Sequence, residues 1–418
     1  MSLKLVRGTR DIFERENSHL RKIIDLCREI SERYGYQEIT TPIIEYSEIF
    51  EKTLGESSDV VSKEMYTFQD RNGNNVTLRP EGTAGIARAF ISGKLKDQLP
   101  IRFFYQGPMF RYERPQKGRY RQFNQVGVEL LGVSEYQADV EVISLGNHIL
   151  KELDLLKKTT LLINSLGDFE SREIYKKELK DYLFKYKKDL SKDSLIRLDK
   201  NPLRILDSKN NNDKKILEDA PKFIDFLNYT SKNFFDSTCE GLNNLGIPFT
   251  IDHNLVRGFD YYSHTAFEFI TESLGSQNAI IAGGRYDGLI QSMGGESTPG
   301  IGWAAGLERL GLLFPEVEEL NRPIALVSMG VNSESLISKL ASELRYNKFI
   351  VTLISGGNIS KNIQKANRAN SKYAVIVGDE ELKSSLCTVK NLDSTQQNSI
   401  SIEKISDFLK AQKSDRSE

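Results

Sequence analysis

Two long stretches of strand character, IRFFYQGPMFRYE (101–113) and RQFNQVGVELLG (121–132), are joined by seven residues, the polar, cation-rich RPQKGR (114–119) and Tyr120. So short a connection joins antiparallel neighbours, because a parallel crossover needs a dozen residues or more. A second pair repeats the arrangement: MYTFQ (65–69) and VTLRP (76–80) flank the turn DRNGN (70–74). These hairpins predict a mainly antiparallel β-sheet with helices, such as one over 136–153, packed on it.

Helical spacing of Leu20, Ile23, Ile24, Leu26, Cys27 and Ile30 predicts a helix over 17–34, with Ser18 as N-cap and Gly35 as its stop. YQEITTPIIEYSEIF (36–50) reads as extended, interrupted at Pro42. Lysine-rich, helix-patterned sequence over about 170–235 reads as a helical insertion. Strand patterning resumes over 247–270 and again in AIIAGGRYDGL (279–289), and GIGWAAGLERLGLLF (300–314) should enter a helix after Gly306. A first domain is therefore expected over 1–320. From 322 to 418 apolar strand and helix patterns alternate, which predicts a small α/β domain with a largely parallel sheet. The last six residues, KSDRSE, are expected to fray.

Composition decides which partners need explaining. The 418 residues are 39% hydrophobic and 28% charged, ordinary for a globular chain, and the formal net charge is -1. Any binding of nucleotide or nucleic acid must therefore rest on local basic patches. Cys27, Cys239 and Cys387 form no CxxC pair, which points to a reducing compartment. The N-terminus lacks a signal-peptide run and no stretch approaches the roughly 18 apolar residues of a membrane span, so a cytoplasmic chain without membrane contact is expected.

Within 109–129 five cations, Arg111, Arg114, Lys117, Arg119 and Arg121, crowd around one loop. In the strand that follows, Arg121, Phe123, Gln125, Gly127 and Glu129 would share a face. This is a poor core face, readable either as a solvated charged surface or as a ligand site. Gly127 would leave floor space between Gln125 and Glu129, whose α-carbons lie about 13 Å apart at 3.3 Å per residue. Arg111 suits bidentate contact with phosphate or carboxylate. In LRPEGTAGIARAF (78–90), Thr83 could be a helix N-cap and Glu81 could attract an ammonium. LVRGFDYYSHTAFEF (255–269) sets Arg257 near Tyr261 and Tyr262. GIGWAAG fits a dinucleotide fingerprint badly and reads as close backbone packing or ligand approach. His19, His148, His253 and His264 lack metal-ligand spacing, so no dedicated metal ligands are expected.

Together these motifs resemble the class II aminoacyl-tRNA synthetases, and among them the histidyl-tRNA synthetases. YGYQEITTPIIE resembles motif 1, FRYE with its loop and RQF motif 2, and GLERL motif 3. LVRGFDYYSHTAFEF is similar to the histidine-specific signature and RPQKGRYRQFNQVGVE to the family's motif 2 loop. The resemblance runs from VRGTRDI near the N-terminus into the last domain. It implies the class II α+β catalytic fold, a C-terminal anticodon-binding domain, and formation of histidyl-adenylate from ATP, with Mg2+, and L-histidine before transfer to tRNA(His). It further implies that Arg111, Glu113, Arg119, Phe123 and Arg309 bind ATP, Arg111 at the α-phosphate and Arg309 at the γ-phosphate end. Glu81, Thr83 and Gln125 would hold the substrate ammonium, and Glu129, Tyr262 and Tyr286 its imidazole. Arg257, with Arg111, would be catalytic, meeting the carboxylate and α-phosphate. Arg114, Gln116 and Lys117 would approach the tRNA acceptor end. A homodimer is implied through motif 1.

Asn124 stands where many members have histidine and Tyr112 where some do, which bears on tRNA-end recognition. Residues 322–418 hold 14 lysines and arginines against 10 acids, a net of +4, and Lys361, Lys365, Arg368 and Lys372 are candidates for phosphate contacts from one helix face. Two competing readings are a non-catalytic regulatory relative of histidine biosynthesis and a synthetase for proline or threonine. The first usually lacks both the last domain and the arginine at 257. The second is disfavoured by Glu129 and Tyr262, since a carboxylate facing the side-chain pocket suits an imidazole N–H and would stand unpaired beside an apolar side chain.

Overall fold

The computed structural model describes residues 3–55, 58–275, 278–315 and 322–414. The chain divides into two compact units, Met1–Glu316 and Val317–Glu418. The boundary expected near 320–322 falls largely on residues outside those described, as does most of the tail expected to fray.

Eleven strands are described in the first unit: β1 (Gln37–Glu38), β2 (Ile44–Tyr46), β3 (Tyr66–Gln69), β4 (Asn75–Leu78), β5 (Ile101–Phe110), β6 (Gln122–Leu131), β7 (Thr160–Ser165), β8 (Thr250–Ile251), β9 (Ser263–Ile270), β10 (Ala279–Arg285) and β11 (Gly300–Gly306). Eight form one sheet in the order β1-β5-β6-β11-β10-β9-β7-β8. Its interior pairings are antiparallel, and the parallel ones lie at the edges, β1 on β5 and β7 on β8. The remaining three make a small antiparallel sheet, β2-β4-β3.

The strand period of two sorts the two faces of the large sheet. Val126, Val128 and Leu130 of β6, Phe267 and Phe269 of β9, and Ile301, Trp303 and Ala305 of β11 bury against the helices Glu14–Arg33, Tyr136–Glu152 and Tyr229–Asn244. Those helices contribute Ile23, Cys27, Val142, Ile149, Phe235 and Leu242 to the same core. Phe123, Gln125 and Glu129 are left on the opposite face, beside Gly302, Ala304 and Gly306 of β11. A buried ion pair ties the two layers: Arg285 of β10 donates to Asp139 in the first turn of the 136–152 helix, and neither side chain is exposed. Removing one partner of such a pair typically costs about 3–5 kcal/mol.

Several local expectations need correction. The first helix begins at Glu14 with Phe13 at the N-cap position, so Ser18 is interior; Gly35 does lie just past its end, at φ +80°. The extended reading of 36–50 fails after Tyr46, where Ser47–Leu54 is helical with Ser47, Phe50, Thr53 and Leu54 turned inward. Between β8 and β9 the chain is a loop and not a strand, and it delivers Arg257 and Tyr262.

In the second unit, β12 (Ile324–Met329), β13 (Val351–Ile354), β14 (Tyr373–Gly378), β15 (Leu386–Asn391) and β16 (Gln397–Ser401) are ordered β13-β12-β14-β15-β16. The first three are parallel and the last two antiparallel, so the sheet is mixed and less parallel than expected. Lys361, Lys365 and Arg368 lie exposed on the helix Ile359–Arg368, but Lys372 lies beyond its end and does not share that face.

Candidate active site

The site face of the large sheet opens into a cavity of about 350 Å3. Glu81, Thr83, Arg111, Glu113, Arg119, Phe123, Gln125, Arg257, Tyr262 and Arg309 all line it. Residues far apart in sequence thus meet because β5, β6, β10 and β11, the helix after Gly82, the 252–262 loop and the helix Leu307–Leu313 all end there.

One part of the cavity is cationic. Arg111 donates from Nε to the Pro80 carbonyl at 2.9 Å and stands 5.4 Å from the Phe123 ring. Arg119 pairs with Glu113 at 2.6 Å, while Arg111 lies 3.8 Å from the other oxygen of that carboxylate. Arg309 donates to the Ala279 carbonyl at 2.7 Å. Burial, followed by the nearby Arg119 and Arg111, pushes the Arg309 guanidinium below its ordinary value. Cations that repel one another across a cavity are stabilised by a bound polyanion.

Another part is acidic and phenolic. The Glu81 carboxylate accepts from the backbone N–H groups of Thr83 and Ala84, both at 2.8 Å, and so caps the helix Thr83–Ser92. Gly82 holds the N-cap position, so Thr83 is not the cap; its hydroxyl donates to Glu129 at 2.7 Å. Tyr286 donates to the other Glu129 oxygen at 2.5 Å. Glu129 and Tyr286 are 1% exposed and lie just behind the lining. Burial raises the Glu129 carboxyl to about 8, against the opposing effect of the two hydroxyl donors; burial also raises Glu81.

The glycines of GIGWAAG serve close approach. A Cβ at Gly302 would stand 1.8 Å from the Glu129 carboxylate, and one at Gly300 would stand 2.3 Å from the Tyr286 ring. Neither position tolerates a side chain without displacing those groups. The floor space expected at Gly127 is filled instead, by the ring of Tyr105.

Arg257 donates to Glu268 of β9, and its guanidinium lies 5.3 Å from the centre of the Tyr262 ring. Its Nε is buried and meets no hydrogen-bond partner among the described residues. Arg121, grouped with the site face in sequence, precedes β6 and turns away: it stacks 3.6 Å from the Tyr112 ring and donates to the Glu113 carbonyl. Asn124 holds Glu308 through its backbone and side-chain amides, at 3.0 Å each. Arg114, Gln116 and Lys117 are exposed on the loop, which Gln116 and Arg119 close with a backbone bridge. In the second unit Lys365 donates to the carbonyls of Ser355 and Gly356.

Sequence reasoning missed Tyr105, Glu268 and Glu308. The only signal for Tyr105 was its place on a strand that pairs with Gly127.

The family model of histidyl-tRNA synthetase matches residues 8–310 and that of an anticodon binding domain residues 324–412. A histidine--tRNA ligase of Rhodospirillum rubrum is 51% identical over 98% of this chain and 99% of its own. One from Wolbachia pipientis subsp. Culex pipiens is 49% identical over 97% and 99%. The crystal structure of apo S. aureus histidyl-tRNA synthetase covers 98% of this chain and 100% of its own, at 35% identity and a TM-score of 0.81. This chain belongs to the histidyl-tRNA synthetase family.

Proposed function

We propose that the cavity activates L-histidine with ATP and that the chain then transfers the histidyl group to the 3′-terminal ribose of tRNA(His), as a histidine–tRNA ligase. The observation that carries this reading is the division of one cavity into a cation-rich part and an acid-and-phenol part. A triphosphate suits the first, and an amino acid with an ammonium and an imidazole suits the second.

In the proposed arrangement Arg111, Arg119 and Arg309 neutralise the triphosphate, with Phe123 offering a face for adenine and Glu113 fixing the two arginines of motif 2. Glu81, Thr83 and Gln125 receive the ammonium, and Glu129, Tyr262 and Tyr286 define the imidazole pocket. A histidine carboxylate oxygen attacks the α-phosphorus, the bond to the β-phosphate oxygen breaks, and pyrophosphate leaves. Arg257 and Arg111 stabilise the charge that grows on the phosphoryl oxygens; preorganised donors of this kind supply much of the rate in such chemistry. Mg2+ fits as a cation carried on the triphosphate, adding charge neutralisation there. Of the carboxylates lining the cavity, Glu113 and Glu64 would meet it, while Asp59 is paired with Arg197 and Arg204 and Glu81 and Glu308 are already engaged by backbone N–H groups.

Arg114, Gln116 and Lys117 are assigned to the tRNA acceptor end and Lys361, Lys365 and Arg368 to phosphates elsewhere on the tRNA. The small sheet supports a homodimer because it is inside out: Glu45 and Thr77 are buried, while Ile44, Tyr46 and Phe68 are 50%, 53% and 46% exposed. Apolar residues left facing water on aligned strands suit a second copy of the chain. Free Cys27, Cys239 and Cys387 accord with the cytoplasm. No helix among the described residues is long and apolar enough to cross a membrane. The test is charging of tRNA with labelled histidine: binding of histidine with no transfer to tRNA would favour a regulatory role.

A further inference from the structure

Tyr105 carries a hydroxyl that is buried and meets no hydrogen-bond partner among the described residues, in a residue only 4% exposed. Two glycines seat its ring. β5 pairs Tyr105 directly with Gly127, and a Cβ there would lie 2.4 Å from the phenol oxygen. A Cβ at Gly82 would lie 2.8 Å from the same oxygen. Gly82 separates Glu81 from Thr83, and Gly127 lies between Gln125 and Glu129 on the site face, so the hydroxyl sits just behind the cavity lining, against the strip that carries the residues proposed to read the amino acid. Gln125 shows the same feature, because its Oε1 is also buried without a partner among the described residues.

Buried polar atoms are normally paired, and leaving two unpaired on one strip of sheet destabilises the free protein. Both oxygens can accept; the Glu81 carboxylate acts electrostatically on Tyr105 and lines the same cavity as Gln125. A ligand group with several N–H donors and a positive charge, an ammonium, satisfies them together. Resting on the histidine-activation reading, we propose that Tyr105 is a further substrate-binding residue whose hydroxyl accepts an N–H from the substrate α-ammonium, alongside Gln125 and Glu81.

Tyr105→Phe removes only the hydroxyl and keeps the ring in its slot. The melting midpoint should stay level or rise, since an unpaired buried group is lost. The KM for histidine in pyrophosphate exchange should rise about tenfold or more, in line with losing a hydrogen bond to a charged group. The KM for ATP should stay within about twofold. Histidinol, which keeps the ammonium but lacks the carboxylate, should lose inhibition by the same factor as histidine, while imidazole inhibits both proteins equally. A lowered midpoint with an unchanged histidine KM would make Tyr105 merely structural, and weaker inhibition by imidazole would move its contact to the ring; either overturns the proposal. If the wild-type protein shows no histidine-dependent exchange, the functional reading fails independently of Tyr105.

Discussion

Replacing Glu129 with glutamine tests the acid part of the cavity through two readouts. The carboxyl is 1% exposed, accepts from Thr83 and Tyr286, and is raised by burial from the ordinary 4.5 to about 8. Because the folded-state value lies above the unfolded one, the native state is favoured by the protonated form. That stabilisation is full below pH 4.5 and is lost progressively as pH rises toward 8. At 1.36 kcal/mol per unit, the loss by pH 7 is about 3 kcal/mol in the free protein. Glutamine does not titrate, so the wild type should fall in thermal stability relative to Glu129→Gln between pH 5 and 8. The second readout is proton release. At pH 7 a group titrating near 8 is about nine-tenths protonated, so accepting an imidazole N–H as carboxylate would release about 0.9 proton per histidine bound. Calorimetry in buffers of different ionisation enthalpy measures this number, and the variant should release about 0.9 fewer by the same reasoning. A wild-type-minus-variant stability that is flat with pH, together with equal proton release, would refute the placement of a buried, titrating carboxylate in the proposed imidazole pocket.

Two further outcomes follow from the geometry. Arg257→Ala should slow adenylate formation in single-turnover experiments by at least about a hundredfold, the usual effect of deleting a preorganised charge-stabilising donor, and an unaffected rate would remove Arg257 from the chemistry. Ile44→Asp with Tyr46→Glu should convert a species of twice the chain mass to the monomer in sedimentation; a wild-type monomer would contradict use of the small sheet as the dimer interface.

Much of this architecture could be read in the residues. The loops at 70–74 and 114–119 were too short for anything but antiparallel pairing, and the helix after Gly306 follows from the leucine pattern. The polar strip Phe123, Gln125, Glu129 declared itself because period-two alternation with Val126, Val128 and Leu130 makes sense only if one face is not core. What stayed hidden depends on tertiary contact. Thr83 looks like a cap until Glu81 is seen to take that role, which frees its hydroxyl for Glu129. Residues 47–54 have strand-like neighbours, yet their inward face is set by packing in the folded unit. Tyr105 carries no motif of its own, and Glu268 lies within LVRGFDYYSHTAFEF without its partner being legible there, since their importance lies in which cross-strand or loop residue they meet.

The most direct measurement is amino-acid-dependent exchange of labelled pyrophosphate into ATP by the purified protein. Exchange should depend on L-histidine and stay at background with proline or threonine. Background exchange with histidine, or faster exchange with another amino acid, would contradict the assignment of this cavity.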